Sequence, residues 1–290
     1  MTSSTSNSKG VSKLLGHIVL LALIVLAINQ LLLAALPFVW GDDHFNIRFN
    51  YYMDNRESFD TLFIGSSRVY RQMDPAAYDQ EMAAFNPLGS YNLGAPANFY
   101  PQTYRTFREI LANKPQELQT IFFELTPAPL RPEPKNWHTL RQIYWYDPDT
   151  TLDLLRSLWT ADIEPAEKRL YTAVPLGFLL EKNINFGLGL DMLIFLFTDQ
   201  YRNENYLGQA RNGFYSLEEQ IITGTTGTQR TLTDRREAFL ADPKELEQRA
   251  KSSRRIYNDP ALWEAHNPIY LARLRQMIAM AEEAGVELIF

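Results

Sequence analysis

The chain has 290 residues, 46% apolar and 13% aromatic, with a formal net charge of −6; this supports a substantial core and excludes disorder outside the Ser/Thr-rich tail 1–10. No basic stripe interleaved with aromatics occurs, which argues against nucleic acid as a partner, because neutralising phosphates needs clustered Lys and Arg. Cysteine is absent and the four histidines (His17, His44, His138, His266) are widely separated; disulfides, thiolate nucleophiles and Cys-based zinc sites are excluded, and neither a metal nor another cofactor is expected.

From Leu14 to Trp40 the chain is almost wholly apolar, interrupted by Gly16, His17 and the pair Asn29-Gln30. A bilayer core needs about 20 apolar residues in one helix, and this run exceeds the roughly 7–15 of a secretory signal. It also lacks the polar face of a helix packed at a protein surface. Lys9 and Lys13 precede it, while Asp42 and Asp43 follow; positive charge stays on the cytoplasmic side. The reading is a cytoplasmic tail (1–13), one transmembrane helix (14–40) and an extracytoplasmic, periplasmic body (41–290) anchored to the inner membrane. A cleaved signal cut at Ala34-Ala35 is the competing reading. Trp40 stands where an interfacial aromatic is expected.

The segment from His44 to Asp60 reads as a juxtamembrane linker ending in a short helix. Thr61-Leu62-Phe63-Ile64 follows, a continuous apolar run stopped by Gly65-Ser66-Ser67, as in a strand covered on both faces. Asp74-Pro75 opens a helix over Ala76 to Ala84. Ser90 to Gly94 reads as a second strand, Phe99 to Asn113 as a helix, and Thr120 to Leu125 as a third strand. This alternation predicts βαβ units, a parallel sheet and right-handed crossovers. Ligands of such sheets bind beyond the carboxyl ends of the strands, here Gly65-Ser66-Ser67, Gly94-Ala95-Pro96 and Thr126-Pro127.

Pro127 to Pro134 marks an excursion, and residues 128–265 are predicted to be a mostly helical insertion. Its helices fall at Thr150 to Leu158, Pro165 to Leu180, Phe186 to Tyr201 and Asp234 to Lys251, with a flexible loop from Gly208 to Thr233. Asn267-Pro268 opens a last helix, and Val286 to Phe290 forms a fourth strand. A parallel sheet is expected to continue past that point, so the sequence reads as part of a longer protein with an incomplete sheet.

A serine leaving a buried strand can present its hydroxyl to the crevice, and its amide, at a helix start, can stabilise an oxyanion. A glycine ending the neighbouring strand allows close approach of a ligand and offers another N–H. Either feature alone is also explained as a turn. Together, Gly65-Ser66-Ser67 and Asn92-Leu93-Gly94 resemble the first two blocks of the SGNH (GDSL-type) hydrolase superfamily. More narrowly, the chain is similar to its membrane-anchored bacterial members, relatives of the alginate O-acetylation and lipoteichoic-acid D-alanylation proteins. The resemblance implies a flavodoxin-like α/β fold, Ser67 as nucleophile, and the Ser67 and Gly94 amides as oxyanion donors. The implied reaction is acyl ester hydrolysis or transfer on an extracytoplasmic glycan.

Three departures stand out. Ser66 occupies the usual aspartate position, and the third strand ends Glu124-Leu125-Thr126-Pro127 with no third-block asparagine. The family's Asp-x-x-His pair would follow the fourth strand, past Phe290. Losing a triad member costs several orders of magnitude in rate, so this chain is expected to be inactive or nearly so. His138 and His266 are expected in structural or surface roles, and Glu124 in an ion pair with Arg68 or Arg71. The competing reading is a non-catalytic partner in envelope polysaccharide assembly, binding through the helical insertion. A phosphate-binding loop is disfavoured, because Gly65-Ser66-Ser67 lacks the glycine-lysine pattern.

Overall fold

A computed structural model of the chain describes residues 5–35, 40–85, 88–126, 141, 145–160, 164–184, 197, 203–223, 226–258 and 268–290. The expected helix from Phe186 to Tyr201, apart from Phe197, the excursion Pro127 to Pro134, and both His138 and His266 lie outside the described residues.

Helix α1 spans Thr5–Ala35, and Gly10–Leu32 within it is long and apolar enough to cross a membrane, with mean hydropathy 2.5. Its leucines and isoleucines project outward around the circumference, as the absence of a polar face predicts.

Helix α2 (Asp43–Asn55) follows, capped by Asp42, whose Oδ1 accepts the Phe45 N–H at 2.8 Å. The expectation of a juxtamembrane linker is corrected here. Phe45, Phe49 and Tyr52 recur at helical spacing and are buried in the main core; an aromatic face of this kind packs rather than tethers. Trp40 is corrected with it. Its ring is buried against Phe45, Phe49 and Trp145 at centroid distances of 4.9, 4.7 and 5.0 Å, and its carbonyl accepts the Trp145 indole N–H. It is a core residue.

The sheet comprises β1 (Phe59–Ile64), β2 (Gly89–Asn92), β3 (Thr120–Phe123) and β4 (Glu287–Ile289). The strands are all parallel, in the order β2-β1-β3-β4. Thr61 to Ile64 are all buried, which is why that run shows no polar alternation. Helices α3 (Ser67–Gln72) and α4 (Pro75–Met82) connect β1 to β2, and α5 (Gln102–Ala112) connects β2 to β3. α4 starts as Asp74-Pro75 predicts, the Asp74 carboxylate accepting the Ala76 N–H at 3.0 Å. From β1 the chain crosses to one side for β2 and to the other for β3, so the strand order reverses between β1 and β3, the position beyond which ligands of such sheets bind.

The insertion contributes α6 (Pro148–Thr160) and α7 (Pro165–Ile184), which pack as a pair. Beyond a 3₁₀ turn at Glu204–Leu207 come α8 (Leu217–Thr223), α9 (Thr226–Ala241) and α10 (Pro243–Asn258). The flexible loop expected from Gly208 to Thr233 is thus corrected, since most of its second half is helical. α8 is started by a reciprocal cap: Ser216 Oγ accepts the Glu219 N–H at 3.0 Å and Glu219 Oε2 accepts the Ser216 N–H at 2.9 Å. Such a box satisfies two amides that would otherwise be orphaned. The stretch before it runs along β2, whose Asn92 N–H donates to the Asn212 carbonyl at 2.8 Å. Helix α11 (Pro268–Ala284) returns the chain to β4.

Buried tyrosines make the body sensitive to alkali. Burial pushes the phenols of Tyr70 and Tyr270 up to about 12 from an ordinary 10. Between those values the unfolded chain loses protons that the folded chain keeps, so their stabilising contribution is complete below pH 10 and declines towards pH 12. Urea melts followed by tryptophan fluorescence are expected to show a lower midpoint at pH 11 than at pH 9. Equal midpoints would exclude this linkage.

Candidate functional site

The turn leaving β1 is built around close backbone approach. A Cβ on Gly65 would stand 2.4 Å from Val69 Cγ2 and 2.6 Å from Glu124 Oε2, so glycine is what lets α3 and the end of β3 meet there. Ser66 then acts as the N-cap of α3: it is buried, and its hydroxyl accepts the Arg68 N–H at 3.3 Å. Ser67, the first residue of the helix, is exposed. The two adjacent serines therefore differ in kind. One is a buried cap, and the other is a solvent-exposed residue.

Glu124 closes the turn from β3. Oε2 accepts the Ser66 N–H at 2.5 Å, while Oε1 pairs with Arg68 Nε at 2.7 Å. The expected ion pair is therefore formed with Arg68. A carboxylate at a helix start also interacts favourably with the first-turn amides. With the Ser66 amide given to Glu124 and the Arg68 amide to Ser66, the Ser67 amide is left with no protein acceptor among the described residues. Because Ser67 is exposed, its amide can still donate to a bound group.

Gly94 lies across the rim, beyond β2, and is tied to the same turn: the next residue, Ala95, donates its N–H to the Gly65 carbonyl at 2.9 Å. The Gly94 N–H is donated to Asn92 Oδ1 at 2.8 Å. Serving an oxyanion would require Asn92 to release it. What Gly94 does in this arrangement is steric, because a Cβ there would stand 2.4 Å from the Tyr70 nitrogen and 2.9 Å from its Cα.

Two asparagines of this rim were not singled out from sequence as site residues. Asn92 is fully buried and donates from Nδ2 to the carbonyls of Val69 and Met73 at 2.8 and 2.7 Å, joining the end of β2 to the end of α3. Asn98, also fully buried, donates from Nδ2 to the Gly65 carbonyl at 3.1 Å, and its Oδ1 has no protein partner among the described residues. A carboxamide thus reaches the turn from the loop after β2, although none ends β3. Asn92 carried a sequence signal only as part of Asn92-Leu93-Gly94, whereas Asn98, six residues past the end of β2, is an asparagine in a loop, a position common in turns.

Against Tyr70 of α3, Arg48 is fully buried. It reaches the carbonyls of His44, Gly213 and Asn92 at 3.2, 3.2 and 3.4 Å and lies 4.1 Å from the centre of the Tyr70 ring. His44 stacks on Tyr206 at 3.6 Å, and burial lowers its pKa despite the nearby Asp43 and Asp42. Of the described histidines, His17 lies on α1 and His44 in this cluster; neither bonds to Ser67. An open cleft between the C-terminal ends of α5 and α11, lined by Arg108, Glu109 and Met280, lies where these helices lead into β3 and β4, away from the carboxyl ends of the strands. Among the described residues no group of three or more metal-ligating side chains comes together.

A scan against protein-family models and searches of curated proteins and of solved structures returned no match. The chain is thus defined by its own architecture: a mixed α/β protein with a four-stranded all-parallel sheet and one N-terminal helix apolar enough to span a membrane.

Proposed function

We propose that this protein is a membrane-anchored SGNH-type enzyme that hydrolyses or transfers an acyl ester on an extracytoplasmic glycan, with Ser67 as nucleophile. The observation that carries the reading is the contrast at Gly65-Ser66-Ser67. One hydroxyl is spent capping the helix, while the next is exposed beside an amide free to donate. The strand order β2-β1-β3-β4, with this turn at the crevice between β1 and β3, supports a flavodoxin-like layout. Ser67 Oγ attacks the acyl carbonyl, and the Ser67 N–H takes up the oxyanion. The Gly94 N–H becomes a second donor once Asn92 turns away. A histidine base oriented by a carboxylate, which the described residues do not supply, would accept the serine proton and return it to the departing glycan hydroxyl, after which water or an acceptor hydroxyl takes the acyl group from Ser67.

The Gly94–Asn92 bond favours a second reading, a non-catalytic partner in envelope polysaccharide assembly, because that amide is already satisfied within the protein. A fluorophosphonate probe applied to the native protein separates the two. The enzyme reading expects covalent labelling that disappears in Ser67→Ala. Absence of labelling in the parent chain supports the scaffold.

A further inference from the structure

We infer that α7 lies in the outer membrane–water boundary, with Leu176 and Leu180 in contact with lipid, so that the body docks on the bilayer instead of swinging from its anchor. The inference rests on the reading of α1 as a membrane span. The observation that fixes it is one bond between that span and the insertion: Asn29 Nδ2 donates to the Lys182 carbonyl at 2.9 Å. Asn29 is only 3% exposed, whereas its neighbours Ile28 and Ile24 remain 44% and 47% exposed. One side of α1 is therefore covered by α7 and the others are bare.

Depth follows from helix geometry. Asn29 precedes Leu32, the outer end of the apolar segment, by three residues, or about 4.5 Å along the axis. Leu180 precedes Lys182 by two residues, or about 3 Å along α7. Whatever direction α7 takes, Leu180 stays within a few ångströms of the hydrocarbon boundary. Leu180 and Leu176 are 59% and 46% exposed; with exposed Ala173 and Leu170 they form a stripe at helical spacing. No other described part of the chain covers that stripe. A lipid surface is the occupant that the attachment to α1 brings to it, and a half-immersed helix with one apolar face suits that boundary. Lys182 is held away from the lipid, its ammonium donating to the Tyr146 carbonyl at 3.0 Å.

The native chain has no cysteine, so Leu21→Cys, Leu176→Cys, Leu180→Cys and Arg235→Cys can each carry a single nitroxide. All four positions are exposed, and the labelled full chain is reconstituted into phosphatidylcholine–phosphatidylglycerol vesicles. Relaxation by oxygen, which partitions into lipid, is compared with relaxation by a water-soluble nickel chelate. The expected result places the Leu176 and Leu180 labels about 5–10 Å into the headgroup–acyl boundary, Leu21 deeper, and Arg235 in water. Leu21 in lipid with Leu180 in water overturns the docking and leaves the anchor standing. Leu21 in water removes the anchor and the inference together. Labels at Leu176 and Leu180 shielded from both reagents and broadened by spin–spin coupling overturn lipid contact in favour of a second copy of the chain.

Discussion

Replacing Arg273 with methionine is expected to lower the free energy of unfolding by about 3–5 kcal/mol, among the largest losses available to a single substitution here. Arg273 on α11 grips Asp153 on α6 with two bonds, Nε at 2.5 Å and Nη2 at 3.0 Å, and Tyr100 adds its hydroxyl to the same carboxylate at 2.8 Å. Asp153 is 2% exposed. Methionine fills much of the volume but leaves a buried carboxylate with one neutral donor, and an uncompensated buried charge is what makes breaking such a pair costly. The loss is expected in urea unfolding. Combining it with Asp153→Asn is expected to cost well under the sum of the two single changes, because the second removes the stranded charge. Additive losses would show that the pair does not couple. The bond matters beyond stability, because it joins the helical insertion to α11 and to Tyr100, two residues after Asn98 in the loop that meets the Gly65 turn.

The second large effect is expected at Gly94. A methyl group there meets the backbone of Tyr70, not a flexible side-chain end, so α3 itself must move. Overpacking of this kind costs roughly 1–3 kcal/mol and occasionally more. Moving α3 also moves Ser67, so Gly94→Ala is expected to lose fluorophosphonate labelling along with stability. Gly89→Ala is the control, because its added Cβ meets nothing closer than 3.6 Å. It is expected to change stability by less than about 1 kcal/mol. Equal effects at the two glycines would contradict the close approach of α3 to the end of β2.

The parallel sheet was legible because β1 and β3 are short, largely apolar runs and the first three strands are ended by Gly65, Gly94 and Thr126-Pro127, with helical periodicity between. Such runs arise where helices cover both faces, and they carry little ambiguity when turn residues bound them. The pairing of Glu124 with Arg68 was legible as a strand-end carboxylate near basic residues. Other features were harder to read. α2 looked like a linker because its aromatics are interleaved with Asn, Arg and Asp; their burial depends on the partners Trp40 and Trp145, one of them about a hundred residues distant in sequence. The capping box at Ser216-Leu217-Glu218-Glu219 was present in the sequence but masked by surrounding Gly, Thr and Gln, whose composition suggests a loop. The engagement of the Gly94 amide by Asn92 could not be read at all, because a donor's partner is a matter of rotamer and fold.

The central claim concerns one hydroxyl. In the native protein, hydrolysis of an activated acetyl ester is expected to fall by at least about a thousandfold in Ser67→Ala, leaving only the residual effect of oxyanion binding. Ser66→Ala, which removes a helix cap worth about 1 kcal/mol, is expected to retain most of the activity at a temperature where the fold persists. Equal turnover by Ser67→Ala and the parent protein would contradict the account.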